Sequence, residues 1–425
     1  MKKEDLILRE VLERVEPPKE DLDFIKGKLK EFLKRLNSKI NSSKLDIEVF
    51  IGGSYAKKTL IKKYKYDIDI FLRFGKNHKG DISESTKKLL GNFKEVFLVH
   101  GSRDYFNIKI SPSAFFEIVP VARVKNPSEA ENITDLSFSH VKYINKKIKN
   151  KKILDDIRIA KAFCHANNCY GAESYIRGFS GYGLELLVYH YKGFLKFIRA
   201  IAKSKPKEKI IIDIEKQHKN KSSILLDLNE SKLQSPIILI DPTYKQRNVL
   251  AALSDKTFER FRKECQKFLK SPSIESFEES EIDLEQIKNH ANKNKQEFIL
   301  LEAKTTKPEG DVAGSKLLKF YNHLEGEISN FFEIKNKGFD YNDQKSAKYF
   351  FVVKQKKEIL IKGPFSEDKI NVQKFKKKHK STFVKDKKVC AKVKVNSNLR
   401  EFIQKWKIKN SKRIKEMYIE GLEIV

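Results

Sequence analysis

Residues 52–74 constrain the fold more than any other stretch, and they read GGSYAKKTLIKKYKYDIDIFLRF. Two acidic residues, Asp67 and Asp69, stand one residue apart inside an apolar run. In a β-strand, residues i and i+2 point to the same face of the sheet. We therefore expect both carboxylates to share one face, while Ile68 and Ile70 point into a hydrophobic core on the other.

Carboxylates at this spacing are typical of a reactive site. Two like charges so close repel each other, and they are stable together when divalent cations lie between them. Gly53 and Ser54, in the turn upstream, offer backbone N–H groups and a hydroxyl to an anion. A phosphate site beside a two-metal carboxylate site predicts transfer of a nucleotidyl or phosphoryl group.

A third acid, Glu117, lies within the apolar stretch SAFFEIVPV. Residues 105–110 and 114–121 read as a β-hairpin, and Glu117 falls in its second strand. One interpretation is an acid on an edge strand that faces water. The other is a third metal ligand beside Asp67 and Asp69, because one metal must activate the attacking hydroxyl.

The net charge of the 425-residue chain is +31, with 88 basic against 57 acidic residues. Lysine bias in an AT-rich genome would contribute, but a polyanionic partner explains an excess of this size better, and nucleic acid is the commonest such partner. A membrane surface is the weaker alternative, since no segment reads as a basic amphipathic helix with an aromatic face.

The remaining composition predicts a cytoplasmic protein with no membrane segment. No apolar run approaches the roughly 20 residues of a membrane span. The first residues form a charged amphipathic pattern rather than a signal peptide. The four cysteines are too few and too scattered for a disulfide framework or a zinc site, so we expect them to be buried in a reducing compartment.

The hydrophobic periodicity predicts an α+β protein of three domains. Residues 1–140 would form a domain with a mostly antiparallel sheet, 141–272 a mainly helical domain, and 273–425 an α/β region. The helical domain is expected to contain single long helices at 181–203 and 249–269. The third region shows a β-α-β-β-α-β order typical of ferredoxin-like or RNA-recognition modules; its predicted elements are 298–303, 314–332, 349–354, 359–361, 372–379 and 389–395.

A basic patch and a final helix complete the C-terminal region. The patch runs from Lys374 to Lys380, and its lysines would either form a solvated surface or contact phosphate. The final helix is expected at 397–415 and contains Trp406, the only tryptophan.

Several motifs resemble one family in the same order along essentially the whole chain. The G-S-x₁₂-D-x-D arrangement at Gly53 to Asp69 is shared by the nucleotidyltransferase superfamily of DNA polymerase beta and poly(A) polymerases. Residues 168–194, with YGAE, GFSGY and ELL, resemble a stretch of the archaeal, class I CCA-adding enzymes. Residues 241–254 resemble the family's DP…RNVAAALS stretch, 7–21 its first helix, and 361–394 its GPP…FLKKH stretch.

The resemblance implies a tRNA nucleotidyltransferase that adds C, C and A to the 3′ end of tRNA from CTP and ATP, without a nucleic-acid template. It implies a polymerase-beta-like palm domain in which the three carboxylates hold two Mg²⁺ ions. It also implies a homodimer through the C-terminal region. The positions that match the family's nucleotide-binding residues are Gly53, Ser54, Lys57, His140, Lys161, Tyr170 and Arg247.

Three positions depart from the family pattern. The third carboxylate, usually Asp, is Glu117; an arginine is replaced by Leu136 in the stretch before His140; and an acid near Arg247 is replaced by Tyr244. Two other functions stay open from the residues alone: an ATP-only poly(A) or oligoadenylate polymerase, and a catalytically silent RNA-binding protein on the same scaffold. Taken singly, His140, Lys161 and Tyr170 have ordinary structural interpretations.

Overall fold

A computed structural model describes residues 3–101, 103–279, 282–379, 381–394 and 397–425. The chain divides into two compact units, Met1–Ser280 and Glu281–Val425. The α+β fold class predicted from the sequence is confirmed in both units. Lys380 of the predicted basic patch, and Val395 at the end of a predicted strand, lie outside the described residues.

The first unit is built on a five-stranded sheet. Its strands are β1 (Ile47–Ile51), β2 (Tyr66–Phe74), β3 (Val96–Val99), β4 (Tyr105–Ser111) and β5 (Ala114–Ala122). They lie in the order β1-β2-β5-β4-β3. Strands β2 and β5 pair in parallel, whereas β1 with β2, β5 with β4, and β4 with β3 pair antiparallel. The predicted hairpin is therefore present, and it delivers β5 to the centre of the sheet.

Helices α2 (Lys19–Ser43) and α4 (Ile82–Leu90) cover one face of this sheet. Helix α1 (Lys3–Val15) instead packs its Leu8 and Val11 against the helical part of the unit, and α3 (Gly53–Ala56) is a single turn. Helix α2 begins directly after Pro18, a residue that cannot continue a preceding helix. Its apolar stripe, which includes Leu29, Phe32 and Leu36, packs against Ile68 and Ile118 of the sheet. Burial of that stripe fixes which face of β2 points to solvent.

The rest of the first unit is mainly helical. Its helices are α5 (Ser137–Lys147), α6 (Lys151–Ala166), α7 (Gly181–His190), α8 (Phe194–Lys203), α9 (Lys221–Asp227), α10 (Glu230–Leu233) and α11 (Asp255–Lys270). Short 3₁₀ helices occupy Pro127–Glu129, Ile133–Leu136 and Ile274–Phe277. A small sheet has the order β6 (Ile210–Ile212), β7 (Ile237–Asp241) and β8 (Tyr244–Asn248). Phe163 of α6, which is fully buried, contacts aromatic rings of α8 and α11.

The two long helices predicted in this part are wrong in their extent. The helix expected at 181–203 is interrupted, because Lys192 and Gly193 both adopt positive φ, 58° and 126°. Gly193 serves this turn as a residue without a Cβ penalty. The helix expected from 249 begins at Asp255, where the Ser254 side chain accepts a hydrogen bond from the Thr257 N–H as an N-cap.

The second unit contains a ferredoxin-like module and a smaller sheet. Its elements are α12 (Leu284–Lys293), β9 (Glu297–Thr305), α13 (Asp311–Phe331), β10 (Phe332–Tyr341), β11 (Ser346–Gln355), β12 (Glu358–Phe365), α14 (Lys369–Lys378), β13 (Thr382–Lys385), β14 (Lys388–Lys394), α15 (Leu399–Lys409), α16 (Ser411–Glu416) and β15 (Ile419–Ile424). One antiparallel sheet has the order β10-β11-β9-β15, and the other has the order β12-β14-β13.

The predicted β-α-β-β-α-β order is present, but with other members. The module consists of β9, α13, β10, β11, helices α15 and α16, and β15, while β12, α14, β13 and β14 form the separate small sheet. The edge strands β10 and β15 were not predicted. The helix expected at 397–415 is divided at Asn410. Among the described residues, no helix combines the length and apolar character needed to cross a bilayer.

Candidate active site

Three carboxylates share one face at the centre of the five-stranded sheet. Asp67 and Asp69 lie on β2, and the parallel register sets Asp69 opposite Glu117 of β5. The alternate residues Ile68 and Ile70 are fully buried on the other face. The expected division of β2 into an acidic face and an apolar face is therefore present, and Glu117 lies on a central strand rather than an edge.

Ionising these three carboxyl groups together is unfavourable, because burial and their mutual repulsion outweigh the nearby lysines. Burial raises the pKa of Glu117 to about 8, and the charges of Asp69 and Asp67 add to that shift. Burial likewise raises the pKa of Asp69 to about 6, although Lys57 opposes the shift. On β4, Asn107 pairs in register with Glu117, and its amide oxygen is buried without a hydrogen-bond partner among the described residues. A cation at this face would satisfy these groups.

The Gly-Gly-Ser turn passes directly against Asp69. Gly53 has φ of +59°, and a Cβ at this position would lie 1.6 Å from Oδ2 of Asp69. Both the backbone conformation and the space therefore require glycine. The N–H of Gly52 donates to the backbone oxygen of Asp69 at 2.9 Å, which ties the turn to β2. Ser54 follows and lines the cavity described below.

Two lysines identified by resemblance, Lys57 and Lys161, meet on a buried glutamate. Lys57 Nζ lies 2.7 Å from Oε2 of Glu185, and Lys161 Nζ lies 3.1 Å from Oε1. The hydroxyl of Thr59 donates to Oε1 of Glu185 at 2.8 Å. Glu185 and Thr59 are fully buried, and Lys161 is 3% exposed. We call these four residues the buried ion cluster.

A second group of side chains converges on Asp241 at the end of β7. His140 Nε2 and Arg247 Nη1 lie 3.0 and 2.6 Å from Oδ2, and the Tyr182 hydroxyl donates to Oδ1 at 3.2 Å. Tyr182 also stacks on His140, with ring centroids 4.1 Å apart. Burial lowers the pKa of His140, so its ring is neutral near pH 7. Its Nε2 also lies 2.9 Å from Nη1 of Arg247, so the same ring nitrogen faces both Asp241 and Arg247. We call these four residues the Asp241 cluster.

A cavity of about 130 Å³ opens over the carboxylates. It is lined by Asp67, Asp69 and Glu117 together with Ser54, Thr59, Leu60, Ile61, Lys63, Lys65, Tyr66, Lys161, His165 and Tyr170. The rings of His165 and Tyr170 stack 4.1 Å apart in its wall. Lys57, His140 and Arg247 are not part of this lining. Apart from Gly53, which forms the turn against Asp69, the residues predicted from the sequence thus divide between the cavity, the buried ion cluster and the Asp241 cluster.

Several residues of these groups were missed in the sequence. Glu185 lies within the ELL motif that was quoted for the resemblance, and an acid inside a helix that is otherwise apolar is a signal of a buried charge. Asp241 opens the DP motif and was likewise not assigned a role. Lys63 and His165 carry no recognisable pattern, because only the fold brings them to the cavity.

Two of the positions that depart from the family pattern, Leu136 and Tyr244, have clear local surroundings. Leu136 is buried, and its neighbour Asp135 pairs instead with Arg103 at 2.9 Å. The carboxylate of Asp135 also accepts the backbone N–H of Ala122 at 2.9 Å, which ties the end of β5 to the following helix. The Tyr244 hydroxyl donates to Oε1 of Gln246 at 3.2 Å on β8.

Solved structures with the same fold are nucleotidyl-transferring enzymes. A cytoplasmic RNA terminal U-transferase has a TM-score of 0.51 at 15% identity, over 66% of this chain and 99% of that chain. The Cid1 poly(U) polymerase also has a TM-score of 0.51 at 15% identity, over 66% of this chain and 100% of that chain. Over that share of its length, the chain therefore has the polymerase-beta-like nucleotidyltransferase fold.

Sequence relatives narrow this class to one family. The family model described as the second domain of tRNA nucleotidyltransferases matches residues 155–278. The CCA-adding enzyme of Nanoarchaeum equitans is 34% identical over 345 residues, 80% of this chain and 81% of the relative. That of Methanocaldococcus jannaschii is 29% identical over 400 residues, 91% and 86% of the two chains. The chain belongs to the archaeal-type CCA-adding enzymes, a family of tRNA nucleotidyltransferases.

The raised pKa of Glu117 predicts how stability depends on pH without divalent cations. A carboxyl whose pKa rises on folding binds more protons in the folded state, so its contribution falls as pH rises from about 4.5 to about 8. In EDTA, the melting temperature of Glu117→Gln should rise by a few degrees relative to that of the wild type as pH increases across this window. Added Mg²⁺ should remove this difference by stabilising the wild type.

Melting curves at several pH values, with and without Mg²⁺, measure this difference. Titrating groups remote from Glu117 cancel because they are common to both proteins, whereas Asp67 and Asp69 interact with Glu117 and contribute to the difference. A difference between the two melting temperatures that stays constant from pH 5 to pH 8.5 would contradict the raised pKa of Glu117.

Proposed function

We propose that this chain extends the 3′ end of tRNA by C, C and A, taking the nucleotides from CTP and ATP without a template and releasing pyrophosphate. Membership in the CCA-adding family supports this reaction. The structural observation that carries the proposal is the pairing of Asp69 with Glu117 across β2 and β5, beside the Gly53 turn. This arrangement brings anionic ligands and a phosphate-binding turn to one cavity.

The carboxylates fit divalent cations by their chemistry. Oxygen ligands are those that Mg²⁺ prefers, and the mutual repulsion of the carboxylates and the orphaned amide oxygen of Asn107 favour a cation at this face. As they stand, no three acidic, histidine or cysteine side chains of the described residues are arranged to enclose an ion. Asp67, Asp69 and Glu117 would therefore rotate to hold the two Mg²⁺ ions that we propose. Such ions lower the pKa of an attacking hydroxyl and neutralise charge on the leaving pyrophosphate.

The side chains around the carboxylates suit the triphosphate. Ser54 presents a hydroxyl, and Lys63, Lys65 and Lys161 surround the cavity with positive charge. Such preorganised charge is worth most where water is excluded and charge develops during the reaction. We assign triphosphate binding to Gly53, Ser54, Lys57, Lys161 and Tyr170.

The Asp241 cluster suits recognition of the base. Without a template strand, the base edge must be read by protein donors and acceptors. Arg247 is held by Asp241, and its Nε is buried with no partner among the described residues. Neutral His140 stacks on Tyr182, so its ring is fixed in orientation. We assign Arg247 and His140 to the incoming nucleotide.

The three predicted domains remain part of the proposal. Residues 1–140 would act as the catalytic domain, 141–272 as the nucleotide-binding and tRNA-binding domain, and 273–425 as the tRNA-binding region. On α14, the side chains of Lys374, Lys376, Lys377 and Lys378 are exposed, which suits contact with RNA phosphates. A cytoplasmic location and a homodimer through the C-terminal region complete the proposal; all four cysteines are free and buried.

Replacing Lys376, Lys377 and Lys378 together by alanine should weaken tRNA binding. Each lysine that contacts phosphate contributes about one to the slope of log affinity against log salt. Filter binding at several salt concentrations measures that slope. The matched control replaces Lys26, Lys28 and Lys30, which are exposed on α2. Equal slopes for the α14 variant and the wild type would contradict phosphate contact at α14.

Extension of a labelled tRNA that lacks its last three nucleotides tests the proposed reaction. With Mg²⁺, we expect two additions from CTP alone and a third when ATP is also present, read on a sequencing gel. Asp69→Asn should slow extension by about 10³-fold or more, because the site loses a metal ligand. The isosteric change retains the shape of the turn.

The two alternative functions predict different extension products on the gel. A long ladder from ATP alone would mean a poly(A)-type polymerase on the same fold. Binding of the tRNA without any extension would mean a silent RNA-binding protein. Extension by Asp69→Asn at the wild-type rate would mean that the carboxylates take no part in the reaction.

A further inference from the structure

The two lysines of the buried ion cluster differ in how many of their donor hydrogens are used within the protein. Lys161 Nζ donates to the backbone oxygen of Thr59 at 3.0 Å, to its hydroxyl oxygen at 2.8 Å, and to Oε1 of Glu185 at 3.1 Å. An ammonium group has three donor hydrogens and no acceptor. All three hydrogens of Lys161 are therefore used inside the protein.

The ammonium group of Lys57 makes fewer hydrogen bonds than that of Lys161. Among the described residues its ammonium has one acceptor, Oε2 of Glu185 at 2.7 Å. Two donor hydrogens remain for a ligand. Lys57 is 9% exposed and its charge acts on Asp69, so the group lies near the carboxylates while remaining mostly shielded from bulk water.

The charges of the cluster do not cancel. One carboxylate faces two ammonium groups, and the surplus is a single positive charge in a buried place. The two lysines hold the pKa of Glu185 below its ordinary value, although burial alone would raise it. Burial lowers the pKa of Lys161 to about 8, and the charge of Glu185 opposes that shift. Removing Glu185 would leave two buried ammonium groups in mutual repulsion.

We propose that Glu185 is a positioning residue of the nucleotide site, which holds Lys57 and Lys161 side by side and leaves one surplus positive charge for the triphosphate. Lys161 is fixed by three hydrogen bonds and contributes charge to the cavity wall. Lys57 supplies the donors that remain free. This inference rests on the proposed function, because it takes a nucleoside triphosphate as the ligand.

A charge-balance series tests the role of Glu185. The four proteins are the wild type, Glu185→Gln, Lys161→Met and the double variant, and the measurements are the equilibrium Kd for CTP, and KM and kcat for CTP. Glu185→Gln should raise Kd and KM by roughly tenfold to a hundredfold, with a smaller change in kcat, because a buried charged hydrogen bond is lost. Lys161→Met should also weaken binding, since the surplus charge disappears.

The double variant separates positioning from general damage. It removes one of the two ammonium groups that repel each other in Glu185→Gln and returns the cluster to a single positive charge, so its Kd for CTP should be lower than that of Glu185→Gln. Two independent structural lesions would instead multiply their effects on Kd. A multiplied effect, or a Kd within twofold of the wild type for Glu185→Gln, would overturn the proposal. Melting temperatures of all four proteins show whether changes in Kd follow changes in stability.

The series also distinguishes this inference from the proposed function. If the wild type binds CTP but adds no nucleotide to tRNA, the proposed reaction fails while the binding series still decides the role of Glu185. If the wild type extends tRNA and Glu185→Gln binds CTP as the wild type does, only the positioning role fails.

Discussion

The parallel pairing of β2 with β5 is the constraint on which the rest of the site depends. It sets Asp69 opposite Glu117 and places Asp67 on the same face. Ile68 and Ile70 alternate with the acids of β2 and are buried against α2, so the strand cannot turn over without exposing its core face. The cost of gathering acids on one face is thus met by hydrophobic burial on the other.

The surroundings of the carboxylates follow from the same arrangement. The Gly53 turn fits against Asp69 only because it lacks a Cβ. Beyond the turn, the chain brings Lys57 and Thr59 to Glu185 on α7, and α7 also carries Tyr182 of the Asp241 cluster. One helix therefore links the group that suits phosphate with the group that suits the base. A nucleotide bound across both would contact residues from the sheet and from the helical part of the same unit.

The sequence predicted the local parts of this site better than its assembly. The i, i+2 spacing of Asp67 and Asp69 and the adjoining glycines specify their own geometry, because a strand and a tight turn are short-range structures. The parallel neighbour of β2 could not be read in the same way, since it is reached only after α4 and a hairpin. Glu185 illustrates the same limit: its partners Lys57 and Thr59 are more than 100 residues away.

The errors in the predicted fold have two local physical causes. Strands β10 and β15 lie at the edges of their sheet, and each contains a register shift, at Ile334/Asn336 and at Ile419/Gly421, that breaks its apolar and polar alternation. The interruption between α7 and α8 depends on the positive φ of Lys192 as well as of Gly193. A positive φ at lysine is uncommon and leaves no pattern in the surrounding residues.

The most direct test of this account is a crystal structure of the protein with CTP and Mn²⁺, in which anomalous scattering locates the manganese. We predict manganese in direct contact with Asp67, Asp69 and Glu117, with the triphosphate beside the Gly53 turn. Manganese bound elsewhere, or three carboxylates that stay apart while the nucleotide is bound, would contradict the claim that the pairing of β2 and β5 builds the reactive site.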